Sequence, residues 1–306
     1  MDINNYTPKY GGLTGRHFLS ITDLSPEEIY EILYTARLLK MKQTVGERQT
    51  SLLGKEVLMI TKTAFSATRI ATEIAVKQLC GTSMVLPLAG SQLEALVEDK
   101  DFLPAIDRYG VDGIAVNTEA WQDAELLKAN SPVPIINAHG TTGPCVALAA
   151  ALTCWEKFGR LKDLNVSVLG NMRAHNFFLQ VAVKCGMKVN AISPEEYAPE
   201  DDFVESAAIY GTIKVFEDLY EGIANADAVF VSAGDELGED YYITEEVMET
   251  TAPNSIFLHP LPVNRETEAD SPVADGPRSA MLDMAENLLH VEKAVLALTL
   301  GKPVNN

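Results

Sequence analysis

Apolar positions along the 306-residue chain change period repeatedly, and each change marks an expected element. Ile29, Ile32, Leu33, Ala36 and Leu39 recur at the spacing of one helical face, behind a Ser25-Pro26-Glu27-Glu28 capping box with proline at the first helical position. The pattern predicts an amphipathic helix there. Short β-type runs follow at 57–60, 84–86, 113–116 and 134–136, with stretches long enough for helices between them. A long apolar helix, Cys145 to Phe158, precedes a second series of runs at 166–169, 189–192, 214–216, 229–231 and 256–258. A last helix, Ala280 to Leu300, starts after the Gly276-Pro277 turn. Strands alternating with helices require parallel pairing, so the expected class is α/β, with two doubly wound parallel-sheet domains of similar size.

Composition narrows the setting. A chain that is 47% hydrophobic can bury a large core, and its length suits one large α/β domain or two of about 150 residues. No apolar run approaches the roughly 18 residues of a membrane helix. The N-terminal MDINNYTPKYGG has neither a basic start nor an apolar signal core, so a cytoplasmic protein with no membrane partner is expected. Cys80, Cys145, Cys154 and Cys185 form no CxxC pair and lie in apolar surroundings, which suits reduced thiols rather than disulfides or a metal site. The net charge of −19 opposes nucleic acid and polyphosphate partners, although it also serves plain solubility.

Candidate chemistry begins at Met59–Ala75, MITKTAFSATRIATEIA, which has the build of a strand, a turn and a helix start. Ser66 and Thr68 offer hydroxyls there, and the backbone N–H groups of the helix start could meet an anion. Arg69 is the cation of the turn, with an ion pair to Glu73 one helical turn on as the plainer alternative. The stretch resembles the aspartate/ornithine carbamoyltransferase family segment MIFEKPSTRTRxSFExA, whose STRTR core falls on Phe65, Ser66, Ala67, Thr68 and Arg69. The first arginine of that core is Ala67 here.

The resemblance runs nearly end to end. It implies a carbamoyl-phosphate-type N-terminal domain over 1–147, completed by a returning C-terminal helix at 285–306, and an amino-acid-binding-type, Rossmann-like domain over 148–284. It also implies trimers with active sites shared between subunits, and it brings no cofactor. The donor segments depart from the family in a consistent direction. A strand end written DGIVIRT is DGIAVNT at 112–118, so an arginine becomes Asn117. A segment written INAxxxxxHPxQxLADxxT is INAHGTTGPCVALAAALT at 136–153, which replaces a histidine by Gly143 and a glutamine by Val146 while Pro144, Leu148 and Thr153 stay in register. His139 lies four residues earlier and is the candidate catalytic substitute, although a lone loop histidine is more often structural. The basic residue of a trans loop is missing from Gln92-Leu93-Glu94-Ala95. With each charge-assisted hydrogen bond contributing about 1.5–3 kcal/mol, losing two arginines and a trans cation forfeits on the order of 5 kcal/mol, or three to four decades of affinity.

The second half carries VSVLGNMRAHNFFL at 166–179, where only one of the three glycines of a dinucleotide fingerprint is present. Arg173, His175 and Asn176 fall where the resemblance puts acceptor contacts; the plain alternative is an exposed first helical turn. VFVSAGD at 229–235 resembles VWVSMGxE, and the loop after it is shorter than the family's. His259-Pro260-Leu261-Pro262 is the strongest retained signature. By resemblance the carbonyls of Pro260 and Leu261 would accept from a carbamoyl amino group, whereas proline geometry alone would equally well fix a bend.

Three functions are consistent with these residues. The first is a family paralogue with a dismantled carbamoyl phosphate site, for which carbamoyl phosphate is a poor ligand, binding a small molecule or a partner subunit. The second is a divergent carbamoyltransferase using Ser66, Thr68, Arg69, Asn117 and His139 with an amino acid or amine acceptor. The third is another reaction on the same scaffold. The expected assembly is a homotrimer or a mixed oligomer with a family member.

Overall fold

The computed structural model describes residues 3–8, 11–62, 66–90, 92–118, 120, 122–140, 142–173, 176–235 and 237–301. Its elements run α1 (Pro26–Thr44), β1 (Glu56–Thr61), α2 (Ala67–Gln78), β2 (Thr82–Pro87), α3 (Gln92–Glu98), α4 (Phe102–Arg108), β3 (Gly113–Asn117), α5 (Gln122–Lys128), β4 (Ile135–Asn137) and α6 (Pro144–Phe158). They continue as β5 (Asn165–Leu169), α7 (Phe177–Lys184), β6 (Lys188–Ile192), α8 (Asp201–Ala207), β7 (Thr212–Phe216), α9 (Leu219–Ile223), β8 (Ala228–Val231), α10 (Glu245–Glu249), β9 (Ile256–Leu258), α11 (Ser271–Ala274) and α12 (Met281–Leu300). Every β-type run in the sequence forms a strand, because each is short, apolar and bounded by turn residues. The chain divides into two units, the described residues of 7–145 with 288–306, and those of 1–6 with 146–287.

The first unit contains the sheet β2-β1-β3-β4, with all pairs parallel. Its capping box forms as expected: Ser25 Oγ accepts from Glu28 N at 3.2 Å, and Ser25 N donates to Glu28 Oε2 at 2.8 Å. Leu58, Ile60, Ile114, Val116 and Ile135 pack with Leu103 and Leu127 on one face of the sheet. Side chains alternate along a strand, so Met59, Ala115 and Asn117 turn to the opposite face. The chain leaves β1 toward β2 and leaves β3 toward β4, so the strand order reverses between β1 and β3. Such a reversal opens a crevice at the carboxyl ends of the two strands.

The C-terminal helix completes this unit. Gly15 N donates to Thr299 O at 2.9 Å, and a Cβ on Gly113 would sit 2.7 Å from Leu300 Cδ1, so glycine at the start of β3 admits the helix end. Lys293 is fully buried, with its amine donating to Gln43 Oε1 at 2.9 Å and Gln78 Oε1 at 3.1 Å. Burial lowers its pKa from 10.5 to about 8.

The second unit has the parallel sheet β7-β6-β5-β8-β9, which reverses between β5 and β8. Leu169, Ile192, Val229, Val231 and Phe257 form its core with Leu219, Ile223, Val247 and Met281. The sequence grouped the first residues with the N-terminal half; here Asn4 Nδ2 donates to Gly159 O at 2.8 Å and Trp155 Nε1 to Asn4 Oδ1 at 3.2 Å, so residue 4 is tied to the second unit. Among the described residues, no helix is long and apolar enough to cross a membrane.

Lys293→Met is expected to raise stability at pH 7 by on the order of 1–3 kcal/mol, since the amine is desolvated and the half-exposed glutamines can turn to water. A folded pKa depressed to about 8 from 10.5 means the penalty is full below pH 8 and fades toward 10.5. Denaturant titrations at several pH values should therefore show the variant's advantage shrinking between pH 8 and 10.5.

Candidate functional site

The β1/β3 crevice gathers most of the residues singled out in the first half. Ser66 caps α2, its hydroxyl accepting from Arg69 N at 3.0 Å, and the same hydroxyl donates to Asn117 Oδ1 at 3.2 Å. Asn117 Nδ2 donates to Ala138 O at 2.6 Å, so this fully buried amide ties the α2 cap to the segment after β4. Thr68 Oγ1 donates to Gly140 O at 2.8 Å. Arg69 pairs with Glu73 at 3.1 Å, the plainer alternative raised by the sequence. Each candidate already holds an intramolecular partner. The same end of β1 brings a cation that the motif did not single out: Lys62, whose amine lies 3.5 Å from Asp123 Oδ2 in the first turn of α5.

His139 is nearly buried, with Nδ1 2.6 Å from Thr118 O and Nε2 3.0 Å from Thr142 Oγ1. A carbonyl only accepts, so Nδ1 carries the proton and Nε2 accepts from the Thr142 hydroxyl. Burial lowers the His139 pKa, outweighing the raising effects of the Thr118 carbonyl and Asp123. The ring is thus neutral at pH 7, and its basic nitrogen is already engaged. Four residues on, Gly143 occupies the position of the family's histidine, and a Cβ there would lie 2.3 Å from the His139 carbonyl oxygen. The loop is built for glycine.

In the second unit the β5/β8 crevice brings side chains from the segment after β8 close to the backbone at the end of β5. Gly170 has φ +151°, and a Cβ on it would meet Ser232 Oγ at 2.6 Å and Asp235 Oδ2 at 2.8 Å. Asp235 accepts from Asn171 N at 2.7 Å. Burial raises the Asp235 pKa, the Asn171 bond opposes this, and Glu268 adds to the rise. Asn176 caps α7 through Leu179 N at 3.0 Å and donates to Ser232 Oγ at 3.2 Å. Arg173 is exposed, with Nε donating to Ala198 O at 3.2 Å. His175 lies outside the described residues.

His259 is fully buried at the end of β9. Its Nδ1 meets the carbonyl of its own neighbour Pro260, and its Nε2 lies 3.2 Å from Glu268 Oε2. The peptide bond from Leu261 to Pro262 is cis. Glu268 also accepts from Gly234 N at 2.7 Å and Asn264 N at 2.6 Å. Burial would raise its pKa, but His259 and the two backbone N–H groups together hold it below the ordinary value. One carboxylate therefore joins the end of β9, the segment after β8 and the segment after the HPLP turn. Sequence inspection passed over Glu268, since an acidic residue in a polar, acidic stretch has no periodicity or motif to distinguish it.

Both halves of the chain match sequence profiles of known domains. Residues 16–156 match the carbamoyl-P binding domain of aspartate/ornithine carbamoyltransferase, and residues 162–299 match the Asp/Orn binding domain. An ornithine carbamoyltransferase of Hyperthermus butylicus is 36% identical, over 95% of this chain and 99% of its own. Another from Pyrococcus abyssi is 32% identical over 94% and 97%. Among solved structures, ornithine carbamoyltransferase from Pyrococcus furiosus superposes with a TM-score of 0.85 at 29% identity, covering 94% of this chain and 98% of that one. Aspartate transcarbamoylase from Trypanosoma cruzi in complex with carbamoyl phosphate shares the fold at a TM-score of 0.82 and 21% identity, covering 97% and 98%. The carbamoyl-P binding match extends across Ala67, Asn117, Gly143 and Val146, so carbamoyl phosphate as a poor ligand finds no support in these matches.

Gly143→His, which reinstates the family residue, is expected to destabilise the protein by about 2 kcal/mol or more by forcing the His139 loop apart, as measured by chemical denaturation. Glu268→Gln is expected to cost about 1.5–3 kcal/mol at pH 7. The depressed folded pKa places that contribution above the ordinary carboxylate range, so the gap from the unsubstituted protein should close as pH falls through the folded value.

Proposed function

The chain belongs to the aspartate/ornithine carbamoyltransferase family, and within it we propose a non-canonical paralogue whose donor half has exchanged grip on a phosphate dianion for internal hydrogen bonding. The supporting observation is the closed set of contacts at the β1/β3 crevice: Ser66 to Asn117, Asn117 to Ala138, Thr68 to Gly140, and His139 between Thr118 and Thr142. Carbamoyl transfer needs preorganised donors for the phosphate and for the developing charge on the carbamoyl oxygen. Here those side chains would have to break existing bonds to serve. The ligand of this reading is a small amine or amino acid at the β5/β8 crevice, or a partner subunit.

A second reading is a working carbamoyltransferase, favoured by the end-to-end likeness to ornithine carbamoyltransferases. In that case Arg69 and Lys62 would exchange Glu73 and Asp123 for the donor phosphate, and His139 would turn from Thr142 to polarise the carbamoyl group. The proposed assembly in either case is a homotrimer or a mixed oligomer with an active relative. Exposed Ile70 and Ile74 on α2 and Met84 on β2 are the kind of apolar side chains a subunit contact would cover.

Titration calorimetry with carbamoyl phosphate separates the two. The paralogue is expected to give no heat of binding at millimolar ligand and no phosphate release with ornithine, aspartate or simple diamines as acceptors. Saturable binding with release of phosphate would replace the first reading by the second.

A further inference from the structure

Glu292 lies on α12 and is fully buried, yet neither of its carboxyl oxygens has a hydrogen bond of normal geometry. Its polar neighbours are Thr72 of α2 and Cys145, the second residue of α6. The Thr72 hydroxyl has one proton and donates it to Thr68 O at 2.9 Å, so toward Glu292 it can offer only a lone pair. Cys145 is itself fully buried and offers at most a weak S–H donor. Among the described residues no cation pairs with Glu292, and an unpaired ionised carboxylate in such a place is far more costly than a buried neutral acid.

The other charged groups of the helix look elsewhere. Lys293 is turned to Gln43 of α1 and Gln78 of α2. His290 is buried, with Lys293 and Lys40 of α1 as the charges that act on it. From α6 the titratable neighbour is Cys145, whose thiol burial pushes well above its ordinary value; from α2 the neighbour is Thr72, which does not titrate.

We propose that Glu292 is a positioning residue held as an uncharged carboxylic acid, which lets the C-terminal helix seat against the second turn of α2 and the first turn of α6. Thr72 is bonded to Thr68, which in turn reaches Gly140, and the α6 turn is where the Gly143-Pro144 step begins the helix. Burial raises the acid from 4.5 to about 8. With a folded pKa above the unfolded one, the contribution is complete below pH 4.5 and is lost as pH rises through about 8. This goes beyond the functional reading, since it concerns how the unit is assembled and holds whether or not carbamoyl transfer occurs.

Two measurements test it. In the unsubstituted protein, ¹³C NMR of the Glu292 side-chain carboxyl is expected to titrate with a midpoint far above 4.5, toward 8; a midpoint in the ordinary carboxylate range overturns the proposal. In parallel, E292Q replaces the acid by a neutral isostere. The unfolding equilibrium constant of the unsubstituted protein divided by that of E292Q is expected to rise about tenfold per pH unit between pH 5 and 8. A ratio that stays flat with pH overturns it as well. The NMR titration needs no substitution and decides alone should E292Q not fold.

Discussion

Parallel strands cannot be joined by a tight turn; each needs a crossover that returns the chain to the same edge of the sheet. That constraint organises both units of this protein. Successive crossovers lead away from each other where the strand order reverses, at β1/β3 in one sheet and β5/β8 in the other, and open a crevice at the carboxyl ends of those strands. Polar residues accumulate there because the carboxyl ends of strands and the amino ends of helices present unpaired backbone groups. The polar residues of each crevice then either wait for a ligand or satisfy one another.

The two crevices settle this differently. At β1/β3 the satisfaction is mutual: a serine caps its helix and an asparagine ties that cap to the next loop. At β5/β8 a single carboxylate, Glu268, accepts backbone N–H groups from two segments and lies 3.2 Å from His259 Nε2, while Asp235 stays only partly compensated. Positive charge placed above the second crevice would therefore be met by carboxylates, whereas an anion above the first must compete with bonds already made.

The fold was legible because it rests on period and spacing. Runs such as 57–60 and 166–169 are short, apolar and spaced by helix-length stretches, which marks them as buried strands, and Ser25 to Glu28 carried its helix start in four residues. Individual contacts were less legible. The resemblance located Asn117 and Gly143 as departures, but what each does depends on atoms far away in sequence: Asn117 on Ser66 and Ala138, Gly143 on the His139 carbonyl. Arg69 shows the limit clearly, since the motif and the i,i+4 glutamate were both visible and only geometry ranks them. Glu268 and Glu292 were hidden for a common reason. A carboxylate's role is set by which donors surround it, and nothing local in the sequence records them.

The unit built from residues 7–145 is finished by 288–301, with Gly113 shaped to admit Leu300. During synthesis its four strands are made before the second unit, yet the helix that completes their unit is made after it. Until then the surfaces of α1, α2 and the start of β3 that receive this helix have no native cover. The protein thus carries a long interval of exposure in every round of translation, when chaperone capture or misassociation would compete with folding.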